Sequence, residues 1–286
     1  MRKGGSRVWG MTFSIVARSE DGTQFGVAVA SKFLAVGSAV PAARAGVGAI
    51  ATQAFVNLAY RPLGLQLLAD GASAADTLAV LTVGDKLSEQ RQAGVVGASG
   101  DGASFTGAEC FPWAGGATGD GYAIQGNILT GPQVVADMEQ AFRATGGGEP
   151  LANRLLAALT AGDRAGGDRR GRQSAAPLVV SPGGGYGGGS DVLVDLRVDD
   201  HPDPVTELSR LLDLHRLYFE RPDPADCLPL DGVLADEVRT RLAALGYERP
   251  ELDAALAAWA GVENLEERLV PGRIDPLVLE QLRGQP

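Results

Sequence analysis

The chain has 286 residues, 45% of them hydrophobic, with a formal net charge of −10, which is enough to bury one sizeable core plus a small appendage. The acidic balance argues against nucleic acid or anionic lipid as the main partner, and no apolar run of about 18 residues is present to span a membrane. Cys110 and Cys227 are the only cysteines and lie far apart, which fits a reducing cytoplasm better than a disulfide scaffold.

Residues 1–10 carry Arg2, Lys3 and Arg7 without an apolar core and so make no secretory signal. Residues 1–11 are expected to be a leader or a mis-assigned start. Two strand-like runs, 12–18 and 25–32, then flank Asp21-Gly22, the pattern of a β-hairpin. With Asp21 and Gly22 as the loop, Thr12 falls opposite Ser31, with Lys32 one position further on. Cross-strand partners have Cβ atoms about 5 Å apart. A threonine beside a serine and a lysine at the start of a domain is the layout of an N-terminal nucleophile site, because the α-amino group of a first-residue threonine, with a pKa of about 8, can take the hydroxyl proton without a histidine. The competing reading is a β-branched residue favoured by a strand. Only Lys3, Lys32 and Lys86 are lysines among the 25 basic residues. Lys32 either tunes a nearby amine or hydroxyl or ends a strand with its ammonium in water.

Further strands are expected at 37–41 and 47–52, with Gln53 and Asn57 after the second as pocket candidates. Residues 62–82 read as a helical pair, with Leu63, Leu67 and Leu68 at helical spacing and Ser73-Ala-Ala-Asp76 as a capping box. Glycine-punctuated strands follow from 93 to 127. Gln125-Gly-Asn127 ends the last of them, where the Asn127 amide either donates to an oxyanion or caps the turn into a helix near Gly131. Leucine, valine and phenylalanine stripes mark two helices, one through 134–142 and one through 151–159. The loop 166–171 after them offers Asp168 and Arg170 to a substrate carboxylate or amine, or is an ordinary helix-to-strand turn.

Strands 173–181 and 191–198 flank a glycine-rich turn, and a helix over 204–220 closes the region. Asp199-Asp200-His201 could be read as metal ligands, but neighbouring residues rarely converge on one ion, so Asp199 and Asp200 are read as starting or capping the closing helix. Two antiparallel sheets with helices on both outer faces bury all these stripes, an α+β fold of four-layer αββα sandwich type. Prolines and charges at 221–225 mark a boundary, dividing a domain of residues 12–221 from a small helical domain of residues 222–286.

The strings Thr12-Phe-Ser-Ile-Val-Ala-Arg18, Gly26-Val-Ala-Val-Ala-Ser-Lys-Phe33, Arg44-Ala-Gly-Val-Gly-Ala49, Thr52-Gln-Ala54, Gln125-Gly-Asn-Ile-Leu129, Ala165-Gly-Gly-Asp-Arg-Arg-Gly-Arg-Gln-Ser174 and Val194-Asp-Leu-Arg-Val-Asp-Asp-His201 together resemble the family called domain of unknown function 1028. The resemblance covers roughly residues 12–220. It implies the N-terminal nucleophile (Ntn) hydrolase superfamily, with its four-layer fold, and hydrolysis of an amide or peptide-like bond in a small substrate. Thr12 is then the nucleophile and its freed α-amino group the base, which requires loss of everything before Thr12. Ser31, Lys32 and Asn127 complete the expected catalytic set, and Gln53, Asn57, Gln125, Asp168 and Arg170 the expected substrate contacts. No cofactor or metal is expected, and no nucleic acid or membrane partner. A cytoplasmic homo-oligomer, dimer or higher, is expected. Residues 222–286 resemble a small peptidoglycan-binding-like domain found on some members. A catalytically silent ligand-binding protein, a cell-wall-associated binding protein and a metal-dependent hydrolase are the alternatives.

Overall fold

A computed structural model describes residues 12–286 apart from Gly147; the expected leader, residues 1–11, lies outside the described residues. Contacts divide the chain into two units between Arg210 and Leu211.

The first unit is mixed α/β with antiparallel sheets. Its elements in order are β1 (Thr12–Arg18), β2 (Phe25–Ser31), α1 (Val36–Ala39), β3 (Pro41–Arg44), β4 (Gly48–Ala54), α2 (Tyr60–Ala69), α3 (Ala74–Val83), β5 (Arg91–Gly97), β6 (Gly102–Thr106), β7 (Gly115–Gly119) and β8 (Tyr122–Asn127). Then come α4 (Gln133–Ala144), α5 (Leu151–Arg164), β9 (Ser174–Val180), β10 (Val192–Asp195) and the start of α6 (Pro204–Phe219), whose residues from Leu211 onward belong to the second unit. One sheet has the order β10-β9-β2-β1-β8-β7 and the other β3-β4-β5-β6. The Asp21-Gly22 turn sets the register of the first hairpin, so that Thr12 pairs with Ser31 and Arg18 with Phe25. Gly22 sits at φ 74°, where a side chain would be strained.

Period-two alternation distributes the side chains between the two faces of each sheet. Val16, Val27 and Val29 meet Ala49, Ala51 and Val96 in a core between the sheets. Ile50, between Ala49 and Ala51, points the other way and packs with Tyr60, Leu68, Leu78 and Leu81 of α2 and α3. On the other sheet, α5 packs against β1, β2 and β9, and α4 against β7 and β8. The buried stripe of α4 is Val134, Val135, Met138 and Phe142; that of α5 includes Leu151, Leu155, Leu156 and Leu159. Each such side chain, fully buried, contributes about 1.5–3 kcal/mol relative to exposure. The capping box forms: Ser73 accepts from the Asp76 backbone N–H at 3.1 Å and donates to its carboxylate at 2.7 Å.

The segment 37–41 corrects its expected strand. Val36–Ala39 is a single helical turn, and the strand starts only at Pro41. Tertiary contacts override the strand propensity here. The Val36 N–H is held by Ser174 Oγ at 3.0 Å, and a Cβ on Gly37 would come within 2.5 Å of the Ala176 side chain, so the turn lies tight against β9.

The second unit is helical. Its two-residue strands β11 (Leu228–Pro229) and β12 (Arg273–Ile274) pair with each other; helices α7 (Gly232–Ala244) and α8 (Leu252–Glu263) lie between them in the chain, and α9 (Pro276–Arg283) follows β12. Val238, Leu242, Leu256, Trp259, Val278 and Leu282 form its core. Arg268 and Asp275, 2.8 Å apart and buried, pair inside this unit.

Candidate functional site

The three central pairings of the larger sheet align a polar row at one strand end. Ser174, Ser31, Thr12 and Asn127 stand side by side on β9, β2, β1 and β8. Direct partners share a face, so this row sits on the side of the sheet that meets β4 and β5. Thr12 is 3% exposed, and its Oγ1 lies 3.3 Å from Ser31 Oγ. Ser174 is engaged structurally, donating to the Phe33 carbonyl while accepting from Val36 N–H.

Below this row lies a network of buried side-chain amides joining the two sheets. Gln53 of β4 accepts from Ser14 Oγ at 2.6 Å and directs its amide nitrogen at Thr12 O (3.2 Å), Gln92 Oε1 (2.8 Å) and Gln125 O (3.3 Å). Gln92 of β5 in turn donates to Gly126 O at 2.8 Å and Thr106 Oγ1 at 2.9 Å. Asn127 Nδ2 reaches Gln92 Oε1 at 3.0 Å and Thr12 O at 3.5 Å. The carbonyl of Thr12 therefore accepts from two side-chain amides. Because Ser14 spends its proton on Gln53, its oxygen accepts from Gln125 Nε2 at 2.6 Å, which leaves Gln125 Oε1 buried without a donor. Gln53, Gln92 and Gln125 are all fully buried, so Gln53 and Gln125 act here as bracing between sheets. Both amide hydrogens of Asn127 are committed to protein oxygens in this state; an oxyanion would have to draw one away.

Gln125 packs over Gly94, where a Cβ would overlap its amide. Gly94→Ala is expected to destabilise the first unit by about 2–4 kcal/mol through overpacking and a broken buried network, read as a lowered urea midpoint. An unchanged midpoint would show that the network can shift freely.

The loop after α5 approaches the same strand end. Asp168, buried, accepts from the Lys32 backbone N–H at 2.7 Å and the Arg170 N–H at 2.9 Å, and pairs with the Arg170 guanidinium at 3.2 Å. Lys32 itself is exposed, its ammonium 3.1 Å from the Arg172 carbonyl. A cavity of about 440 Å³ opens here, lined by Phe13, Ala30, Ser31 and the 163–172 segment among others. Phe13 and Ala30 are register partners and alternate away from Thr12, so the cavity opens on the helix side of the sheet. Thr12 does not line it.

Asn57 is placed apart from the rest. It donates to Asp85 at 2.8 Å, and Asp85 is also bonded to Arg91 at 2.8 Å. Burial works to raise the Asp85 pKa, but hydrogen bonds from Arg91, the Leu87 N–H and Asn57 prevail and hold it far below the usual carboxylate range. Burial first, then the Asp85 charge, pushes the Tyr60 hydroxyl well above its ordinary value.

Of the residues expected from sequence, Thr12, Ser31, Asn127, Gln53 and Gln125 are brought into one connected cluster, with Lys32, Asp168 and Arg170 at its edge. Ser14 and Gln92 were missed. Their signal was available: a polar residue inside an otherwise apolar or glycine-rich strand, repeated in β1, β4, β5 and β8. Among the described residues no group of three or more His, Cys, Asp or Glu is placed to hold a metal ion, and no helix is long and apolar enough to cross a membrane.

A family model described as "Family of unknown function (DUF1028)" matches residues 12–208, and one described as "Putative peptidoglycan binding domain" matches residues 218–282. A crystal structure of a protein from Silicibacter pomeroyi assigned to DUF1028 is similar, with 30% sequence identity and a TM-score of 0.65, covering 79% of this chain and 93% of that one. No curated protein matches the chain.

Proposed function

The chain belongs to the DUF1028 family, and from that premise we propose that residues 12–208 form an Ntn-type hydrolase that cleaves an amide or peptide-like bond in a small substrate. The observation that carries this reading is the position of Thr12: it opens β1, pairs directly with Ser31 and Asn127, and has its carbonyl gripped by the Gln53 and Asn127 amides. Rigid placement of a hydroxyl and its own backbone is what an N-terminal nucleophile needs, since nucleophile and base belong to one residue. Two antiparallel sheets facing each other, with α4 and α5 on one outer face and α2 and α3 on the other, support the four-layer αββα arrangement for this unit.

In the proposed reaction, Thr12 Oγ attacks the substrate carbonyl carbon while its proton passes to the free α-amino group. The ammonium then protonates the leaving amine, an ester remains on Thr12, and water, deprotonated by the same amine, releases the acid. Ser31 Oγ, accepting from Thr12 Oγ1, orients the nucleophile. An amide nitrogen bonded to Met11 cannot act as the base, so residues 1–11 must be absent from the active form. Amino-terminal sequencing and intact mass of active protein test this: Thr12 is expected first. Full activity with Met1 or Met11 in place would overturn the free-amine mechanism and move the silent ligand-binding alternative ahead.

For residues 218–282 the family match supports a peptidoglycan-binding role, which retention on isolated peptidoglycan above a control protein would support and its absence would remove.

A further inference from the structure

The cavity behind the hydroxyl row gathers cations in a chain that is acidic overall. Lys32, Arg164, Arg169, Arg170 and Arg172 lie in or beside it, within a protein of net charge −10. Three of these are already committed. Arg172 pairs with Asp163 at 2.7 Å, with Asp203 adding to the negative field around it; Arg170 pairs with Asp168, and the Lys32 ammonium donates to a carbonyl. The two acidic residues of the lining, Asp163 and Asp168, are thereby answered. Arg164 and Arg169 line the cavity, are exposed, and have no acidic partner at ion-pair distance among the described residues. Arg164 and Arg169 thus bring two guanidinium side chains to one lining, and such forks bind a planar or tetrahedral oxyanion through paired hydrogen bonds. Phe13, Ala30 and Pro204 supply the apolar part of a lining that also holds Ser31 and Thr130.

We propose that this cavity binds a small organic anion, its carboxylate or phosphate held between Arg164 and Arg169 and its hydrocarbon part against Phe13 and Ala30. Its volume of about 440 Å³ is that of a metabolite-sized site. Thr12 does not line the cavity, although Ser31, whose Oγ lies 3.3 Å from Thr12 Oγ1, does; the proposal does not depend on hydrolysis. A ligand there would nonetheless touch the 166–171 loop, whose Asp168 holds the Lys32 N–H next to Ser31.

The test is calorimetric titration of the full chain with glutarate, with inorganic phosphate and with the neutral diamide of glutarate, at low ionic strength. It is repeated on an Arg164→Ala, Arg169→Ala double variant whose fold is checked by circular dichroism. Saturable binding of glutarate or phosphate, absent for the diamide and weakened about tenfold or more in the double variant, is the expected result; whichever anion binds tighter identifies the head group. Arg169→Lys should recover only part of the loss, since an ammonium cannot bond bidentately. Failure of both anions to saturate below about 10 mM, or binding that the double variant leaves unchanged, would overturn the proposal.

Discussion

Thr12→Ala is expected to fold as the parent chain does and to lose amide hydrolysis by at least about 10⁴-fold in kcat/KM, the scale seen when a covalent nucleophile is removed. The side chain makes one hydrogen bond to Ser31 at 3.3 Å, a contact worth about 1 kcal/mol, so the fold should survive its loss. Thr12→Ser should retain part of the activity, because a primary hydroxyl serves the same step. If the chain cuts itself between Met11 and Thr12, the alanine variant will also keep its leading residues, which mass measurement reads without any substrate. Turnover of a panel of N-acyl amino acids and dipeptides, with thermal unfolding as the fold control, separates chemistry from stability. An alanine variant that hydrolyses any of them as well as the parent would end the nucleophile reading.

Asp275→Ala is expected to cost the second unit about 3–5 kcal/mol, enough to unfold much of a small helical module whose whole stability is of that order. Asp275 is 3% exposed and does two things. One oxygen meets the Arg268 guanidinium at 2.8 Å, and the other accepts from the Leu277 N–H at 2.7 Å, capping α9. Its removal leaves a buried guanidinium without a counter-charge. Arg268 also donates to the Arg216 and Glu220 carbonyls, each at 2.8 Å, at the C-terminal end of α6, so that helix end should fray as well. Hydrogen exchange read residue by residue should show loss of protection in α7, α8 and α9, with β1, β2, β8 and β9 protected as before. Parent-like protection in α9 would mean that Arg268 finds another partner or water.

The features that proved readable were the local ones. Asp21-Gly22 sets the hairpin register because a short turn leaves the flanking strands one pairing that keeps Val16, Val27 and Val29 on a common face. The capping box at Ser73 and the leucine stripe of α5 report helices for similar reasons, since each depends on residues within three or four positions of one another. Thr12 and Ser31 could be paired from the sequence because only a hairpin separates them.

Asn127 entered that row by a different route. Its β8 strand is more than a hundred residues further along, and no local rule states which strand flanks β1 on its far side; the sheet order decided it. The same holds for Gln53 and Gln92. Read in isolation each is a polar residue near the end of a strand, equally suited to a pocket or to a surface. Packing of one sheet on the other turned them inward, where an unbonded amide costs about 1–3 kcal/mol, and so joined them to Ser14, Gln125 and Asn127. Val36–Ala39, strand-like in composition, is a helical turn packed against β9, its Val36 N–H held by Ser174 and its Gly37 close against Ala176. The face on which the cavity opens is also a tertiary matter: Phe13 and Thr12 are neighbours in sequence, yet alternation in a strand sends one toward the helices and the other toward the facing sheet. Hydrogen bonding and apolar spacing over a few residues thus determined the elements of this protein from its sequence, while the pairing of distant strands and the cost of burying unbonded amides decided which side chains share its site.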